Sequence, residues 1–69
     1  MEGQIYIWSL LGYGYVLANG KDLYFLHHSA IKQGADLVAA RQWVSFDVAP
    51  PLPGKKYPRA VNAIVGGAR

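Results

Sequence analysis

Residues 12–27 read GYGYVLANGKDLYFLH and decide the fold. Small and large side chains alternate along residues 12–18, and residues 23–27 form a second apolar and aromatic run. Asn19 and Gly20 separate the two runs. An Asn-Gly pair between apolar runs is the strongest short-range signal of a β-hairpin, because both residues tolerate a positive φ. This stretch therefore predicts two antiparallel strands joined by a tight turn.

Three further strands are predicted on either side of this hairpin. They comprise residues 4–9 (QIYIWS), residues 42–48 (QWVSFDV) and residues 59–65 (RAVNAIV). Each contains several β-branched or aromatic side chains, and residues 42–48 alternate clearly between two faces. Five short strands in a chain of 69 residues suggest an all-β barrel, because closure hides the edges that a small open sheet would expose.

The remaining segments are predicted to connect these strands. Residues 29–34 (SAIKQG) suggest a short helical turn capped by Ser29, and residues 35–41 suggest a brief helix or a 3₁₀ turn within a long loop. Residues 49–58 (APPLPGKKYP) contain too much Pro and Gly for a central strand and are predicted to form a loop.

The chain is expected to fold as one domain over residues 1–69, with its core at about residues 3–65 and a frayed tail at 66–69. It contains no cysteine, which excludes disulfides and thiolate zinc sites and fits a cytoplasmic compartment. His27 and His28 would point to opposite faces of a strand, so no metal or other cofactor is expected. No targeting segment and no apolar run of about 20 residues is visible, so no membrane association is expected.

One face of the predicted hairpin is aromatic. Because successive strand residues point to opposite faces, Tyr13 and Tyr15 share a face with Phe25 and His27 of the neighbouring strand. A row of rings on a strand is more often core than surface. Here, however, His27 and His28 are awkward core residues, and a separate apolar set is available for the interior. That set comprises Ile5, Val16, Tyr24, Leu26, Val44, Phe46, Val48, Val61 and Ile64. The rings are therefore expected to face water, and an exposed aromatic patch usually marks a binding site.

The rings and the basic residues together suggest a nucleic-acid partner. Unstacked bases bind to flat aromatic rows, and each stacked base contributes roughly 1–3 kcal/mol with little sequence preference. The formal net charge of +3 is compatible with a polyanion. Gly12 and Gly14 are expected to permit bending and to let flat ligands reach the backbone. The basic residues expected to hold phosphates at the rim are Lys21, Lys55, Lys56 and Arg59.

Four segments of the chain, in order, resemble those of cold-shock domains. GYGYV at residues 12–16 resembles the first ribonucleoprotein motif of that family, KGFGFI, and FLHHSAI at residues 25–31 resembles the second, VFVHFSAI. QWVSF at residues 42–46 resembles the family's QKVSF strand, and PRAVNAIV at residues 58–65 resembles its closing strand, often PxAxNV. The resemblance implies a five-stranded antiparallel OB-fold barrel that binds single-stranded RNA or DNA. Members of the family act as RNA chaperones, gene-expression regulators and cold-stress proteins.

The resemblance also implies roles for individual residues. Tyr13, Tyr15 and Phe25 match the stacking rings of the family, and His27 matches its base-contacting histidine. His28 stands where many members have Phe or Gln, and a histidine there can still stack on a base.

The first strand departs from the family pattern. The family has ten residues (GxVKWFNxxK) from this glycine up to its GFGF, whereas this chain has nine (GQIYIWSLL) up to GYGY, one residue fewer. Either Ile7 replaces the family's Trp and Trp8 the following Phe, or a bulge brings Trp8 into the binding site. Tyr6 and Leu11 replace two lysines, which predicts fewer phosphate contacts and a weaker dependence of binding on salt.

The Pro-rich loop allows two interpretations. Tyr57, flanked by Lys56 and Arg59, is expected to add a ring beside positive charge to a nucleic-acid site. Alternatively, the chain is a divergent barrel that acts mainly through protein–protein interaction, with residues 50–58 and the ring of Trp43 as the contact surface.

No catalytic pattern is visible. The carboxylates are scattered, and no phosphate-loop motif and no nucleophile with a general base at a suitable spacing is present. We therefore expect neither enzyme activity nor a small-molecule substrate. We expect the chain to be a monomer whose partner is single-stranded RNA or DNA.

Overall fold

Six β-strands form more than half of residues 1–66, the part of the chain that the computed structural model describes. In chain order they are β1 (Glu2–Ser9), β2 (Tyr13–Ala18), β3 (Asp22–His27), β4 (Ile31–Gln33), β5 (Trp43–Ala49) and β6 (Arg59–Val65). Two 3₁₀ turns, His28–Ala30 and Ala35–Leu37, stand on either side of β4, and residues 1–66 contain no α-helix. Of the two alternatives for residues 35–41, the 3₁₀ turn is the one observed.

Five of the strands close into a ring in the order β1, β2, β3, β6, β5. Four of the pairings in this ring are antiparallel, and the fifth, between β3 and β6, is parallel. The short β4 adds to β6, also in parallel. The predicted all-β, five-stranded closed barrel is therefore confirmed, with the strand order of an OB-fold-like barrel. It is mixed rather than wholly antiparallel, because β3 and β6 run in the same direction where they meet.

The hairpin predicted from residues 12–27 is present as β2 and β3. Asn19 and Gly20 at its tip have φ values of 58° and 71°, and the Lys21 N–H donates to the Ala18 carbonyl oxygen at 3.2 Å. Positive φ at both central residues gives the turn a twist that matches the twist of its strands.

The helical turn predicted at residues 29–34 is wrong in position and in cap. The turn spans His28–Ala30, and its N-cap is His27, whose ring accepts a hydrogen bond from the Ser29 N–H. Residues Ile31–Gln33 leave the turn and pair with β6. This pairing joins residues that are far apart in the sequence, so the local pattern at residues 29–34 could not predict it.

The predicted frayed tail at 66–69 is described only at its first residue, because residues 67–69 lie outside the described part of the chain. Gly66 itself is held in place, since its N–H donates to the Trp43 carbonyl oxygen at 2.7 Å.

All five strands of the ring contribute to an apolar interior. The rings of Tyr24 and Phe46 pack with centroids 5.2 Å apart, and no polar side chain is buried with them among residues 1–66. Burial of each large apolar side chain contributes about 1.5–3 kcal/mol. The buried side chains are Ile5, Val16, Ala18, Tyr24, Leu26, Val44, Phe46, Ala60, Ala63 and Val65.

Three residues predicted for the core are not in it. Val48 and Ile64 are 49% and 40% exposed, and Val61 is half-buried. The cause on β6 is Asn62, which has a φ of 51° and lies where the pairing with β5 shifts register. An extra residue in one strand reverses the alternation beyond it. In a regular strand, Ala60, Asn62 and Ile64 would all face the interior. With the extra residue, Ala63 faces the interior and Ile64 faces outward.

Gly14 lets β1 and β2 approach closely. A Cβ at this position would overlap the carbonyl oxygen of Ile7 and would lie 2.8 Å from the six-membered ring of Trp8. Trp8 in turn packs against the buried core, so it covers the interior at Gly14. No side chain other than hydrogen fits between the two strands here.

Gly14→Ala is expected to destabilise the fold by about 2–3 kcal/mol, because the backbone atom that the new methyl group meets cannot turn away. The matched control is Gly20→Ala, where a Cβ meets no atom within 4 Å and only the φ of 71° opposes the substitution. That strain costs about 1–2 kcal/mol. Urea unfolding followed by circular dichroism measures both. A Gly14→Ala variant more stable than the control would contradict the close approach of β1 and β2.

Candidate nucleic-acid interface

β2 and β3 carry neighbouring rings on the outer face of the barrel. Their register places Tyr13 directly opposite His27, and Tyr15 directly opposite Phe25. Directly opposed residues of an antiparallel pair share a face, so the four rings lie side by side as predicted from the alternation. All four are half-buried, while Gly14 between them is buried.

Phe25 lies at the centre of this group. Its ring centroid is 5.9 Å from that of Tyr13, 5.8 Å from that of Tyr15 and 6.5 Å from that of His27. His28 follows with its centroid 4.4 Å from that of His27. Most of these separations lie in the range of favourable tilted and edge-to-face aromatic pairs, so the rings hold one another in position.

The loop at residues 50–58 adds another ring. The Tyr57 centroid lies 5.5 Å from that of Tyr15, and the two ring planes meet at 74°. Lys56 Nζ lies 5.5 Å from the Tyr57 centroid, close enough for attraction between the ammonium group and the ring. We call the whole set the aromatic row: Tyr57, Tyr15, Phe25, Tyr13, His27 and His28.

The contact between β3 and β6 brings this loop to the aromatic row. Phe25 pairs with Arg59, and the Phe25 N–H donates to the Pro58 carbonyl oxygen at 2.8 Å. Arg59 Nε donates to the Pro50 carbonyl oxygen at 2.9 Å and so ties the two ends of the loop together. Both ends of the loop are therefore fixed beside the central ring of the row.

A groove of about 480 Å³ lies between the loop and the row. Three of the four basic residues predicted at the rim line it: Lys55, Lys56 and Arg59. Leu52, which the sequence pattern did not single out, lines it as well and is 43% exposed. The groove thus combines ring faces, an aliphatic side chain and three cations.

Lys21 is the predicted basic residue that does not line this groove. It lies at the hairpin turn, beyond the last β2–β3 pair of Ala18 with Asp22. The ring pair nearest to that turn is Tyr15 with Phe25, three pairs further along the strands. Lys21 is therefore separated from the row by half of the β2–β3 ladder.

The register of β1 decides the position of Trp8. The pairing with β2 shifts between Ile5 and Ile7, so that Ile7 lies opposite Tyr15 and Trp8 lies opposite Gly14. Ile7, 56% exposed, therefore stands beside the rings, and Trp8 packs against the core. The strand does contain an irregularity between Ile5 and Ile7, but it brings Ile7 and not Trp8 to the rings. Trp8 does not join the aromatic row.

The two glycines of the GYGYV motif were predicted to let a ligand reach the backbone. In the structure they serve close packing instead. Gly14 is buried beside Trp8. Gly12 has a φ of 94°, and a Cβ there would lie 2.7 Å from Cδ2 of His28. The His28 N–H donates to the Gly12 carbonyl oxygen at 2.8 Å. Both glycines therefore permit close packing, one under β1 and one at the His28 end of the row.

His27 is oriented by its own turn. Its Nδ1 accepts a hydrogen bond from the Ser29 N–H at 3.2 Å and lies 2.8 Å from the Ser29 hydroxyl oxygen. An N–H group is always a donor, so Nδ1 must offer its lone pair. The other ring nitrogen, Nε2, then carries the proton of the neutral ring and is the atom able to donate to a ligand.

The comparisons with known proteins give no family for this chain. No model of a known protein family matches it, and no curated protein matches it at a significant level. Within residues 1–66, no helix is long and apolar enough to cross a membrane, and no group of three or more metal-binding side chains is present. The geometry is that of an OB-fold-like barrel with an exposed aromatic cluster.

The neutral ring of His27 is expected to be the Nε2–H tautomer, whereas no hydrogen bond among residues 1–66 fixes Nδ1 of His28 in this way. Long-range ¹H–¹⁵N correlation spectra of the histidine rings, recorded above pH 8, distinguish the tautomers. Ser29→Ala should leave the tautomer of His27 unchanged, because the backbone N–H remains as donor. A protonated Nδ1 in the wild type would contradict the hydrogen bond.

Proposed function

We propose that this chain binds single-stranded RNA or DNA by stacking bases on the aromatic row. One observation carries the proposal: a continuous row of rings on the outer face of the barrel lies beside a groove lined by Lys55, Lys56 and Arg59. Bases have flat faces that stack on rings, and phosphates need cations. Single strands offer both groups at short, regular intervals.

The competing assignment of the rings to the core has no support. The interior is already filled by side chains from all five strands of the barrel. The aromatic rings of Tyr13, Tyr15 and Phe25 lie outside it. Their mutual contacts fix them before any ligand arrives. Fixed rings lose little conformational freedom on binding, which favours affinity.

The same surface suits a protein that binds many sequences. Stacking on rings is sequence-tolerant because every base has a π-face. Nε2 of His27 is the one ring-nitrogen donor within the row that the structure orients, which offers a single polar contact to a base edge or phosphate. Such tolerance fits an RNA chaperone or a general regulator of gene expression, as the cold-shock resemblance suggests.

Phe25→Ala is expected to weaken binding of a single-stranded hexanucleotide roughly 5- to 150-fold, the equivalent of about 1–3 kcal/mol of stacking. Leu37→Ala is the control, because Leu37 is another partly exposed apolar side chain but lies on the 3₁₀ turn Ala35–Leu37, outside the row. Fluorescence anisotropy of labelled RNA and DNA gives the affinities, and melting curves check the fold. Equal affinities for both folded variants would contradict stacking on the row.

Affinity is expected to fall as salt rises, with a slope set by the phosphate contacts. Lys55→Ala should reduce the slope of log K against log salt by about 0.7, the value per contact for single strands. Lys32→Ala removes an equal charge from β4, outside the groove, and should leave the slope nearly unchanged. The titration is repeated at several salt concentrations. Identical slopes for both variants would remove the loop from the binding surface.

A protein-binding role is the second candidate, and one observation favours it. Leu10 and Leu11, in the turn between β1 and β2, are fully and 76% exposed. Exposed apolar clusters mark interaction sites. If the chain acts through this turn, Leu10→Ser with Leu11→Ser will leave oligonucleotide binding intact and abolish the cellular effect of the protein.

A further inference from the structure

The groove beside Tyr57 has the size of a ligand pocket. Its volume of about 480 Å³ lies within the range of roughly 300–1,000 Å³ that small-molecule sites occupy. The strands β2 and β3 form one side of it, and the loop at residues 50–58 forms the other. A base bound here is enclosed on two sides.

The loop wall is held by hydrogen bonds at its two ends and within the loop. Besides the bonds that Phe25 and Arg59 make to its two ends, the loop contains a tight turn in which the Lys55 N–H donates to the Leu52 carbonyl oxygen at 2.9 Å. Pro53 and Gly54 occupy the centre of this turn, and Gly54 has a φ of 78°. A Pro-Gly pair with positive φ at Gly is typical of a type II turn.

Tyr57 closes one end of the groove. Its ring meets that of Tyr15 at 74°, so it stands nearly upright against the ring beside it. Lys56 lies over Tyr57 and helps to hold it. An upright ring limits how far a planar ligand extends along the row, which is a constraint that flat stacking alone does not impose.

Charge is unevenly distributed along the row. Lys55, Lys56 and Arg59 line the groove at the Tyr57 end, and no Asp or Glu of the described residues lines it. A second cavity of about 370 Å³ continues from Lys55 and Arg59 toward His27. Lys55 and Arg59 therefore stand where the two cavities adjoin, next to any base that rests on the central ring, Phe25.

We propose that this groove is a pocket for one nucleotide. The base lies on Tyr15 and Phe25 against the wall formed by Tyr57 and the loop, and its phosphate is held by Lys55 and Arg59. The inference rests on the proposed function and deepens it. It states that a single nucleoside monophosphate, either free or as one unit of a strand, is a sufficient ligand for this pocket.

The experiment is an NMR titration of the ¹⁵N-labelled protein with uridine 5′-monophosphate, uridine and inorganic phosphate, each added separately. The monophosphate is expected to shift the backbone signals of Tyr15, Phe25 and Tyr57 and to leave that of His28 nearly unchanged. Uridine and phosphate should each bind several-fold more weakly, because each supplies only half of the contacts.

Variants then test the wall and the charge. Tyr57→Ala should weaken monophosphate binding about fivefold, the loss of one edge-to-face ring contact. Tyr57→Phe should retain it, because the wall remains. Lys55→Ala should weaken monophosphate binding, whereas its charge control, Lys32→Ala, should not. The ¹⁵N spectra report whether each variant is folded.

A hexanucleotide titration separates this inference from the function on which it rests. If the hexanucleotide binds but the monophosphate does not, or if the monophosphate shifts the whole row equally, the pocket is overturned and the single-strand function stands. If phosphate alone reproduces the shifts, the groove is only an anion site, and the pocket is again overturned. If neither nucleotide ligand binds, both proposals fail. If only the monophosphate binds, the pocket stands and the single-strand function fails.

Discussion

The parallel contact between β3 and β6 is the constraint on which the rest of this structure depends. A single pairing, Phe25 with Arg59, closes the ring of strands. The same contact brings the end of the long loop to the central ring of the aromatic row, through the Phe25 N–H and the Pro58 carbonyl oxygen. Closure of the barrel and assembly of the candidate site are thus one event. Without it, β2 and β3 would still carry four rings, but the cations and Tyr57 would have no fixed position beside them.

The close approach of β1 to β2 makes the second contribution, because it separates inside from outside. Trp8 covers the interior at Gly14, and that leaves the alternate positions of β2, Tyr13 and Tyr15, to face outward. A hairpin with one face sealed in this way has no freedom to exchange its faces, since a shift of one residue would bury the rings and expose Val16 and Leu26. The aromatic row is therefore a consequence of core packing as much as of the choice of aromatic residues.

The parts of the fold that could be predicted from sequence are those governed by short-range patterns. The Asn-Gly turn and the alternation around it give the hairpin, its register and four of the six rings of the row. Two further features, one predicted wrongly and one left open between two alternatives, depend on single extra residues. Asn62 reverses the alternation of β6, and the irregularity between Ile5 and Ile7 decides whether Ile7 or Trp8 stands beside the rings. A period-two pattern contains no signal for where such an irregularity falls, because the energy that stabilises it comes from the neighbouring strand.

The position of the cations shows why a motif alone is an incomplete guide to such a surface. Tyr6 and Leu11 stand where lysines are expected by resemblance, so the first two strands supply rings with little positive charge. The charge comes instead from Lys55, Lys56 and Arg59, about thirty residues further along the chain than Phe25. In the proposed function, stacking therefore depends on the local hairpin, whereas attraction for phosphate depends on barrel closure. For the single-strand binding that we propose, loosening the β3–β6 contact would thus remove the electrostatic part before the stacking part, so the two parts are separable.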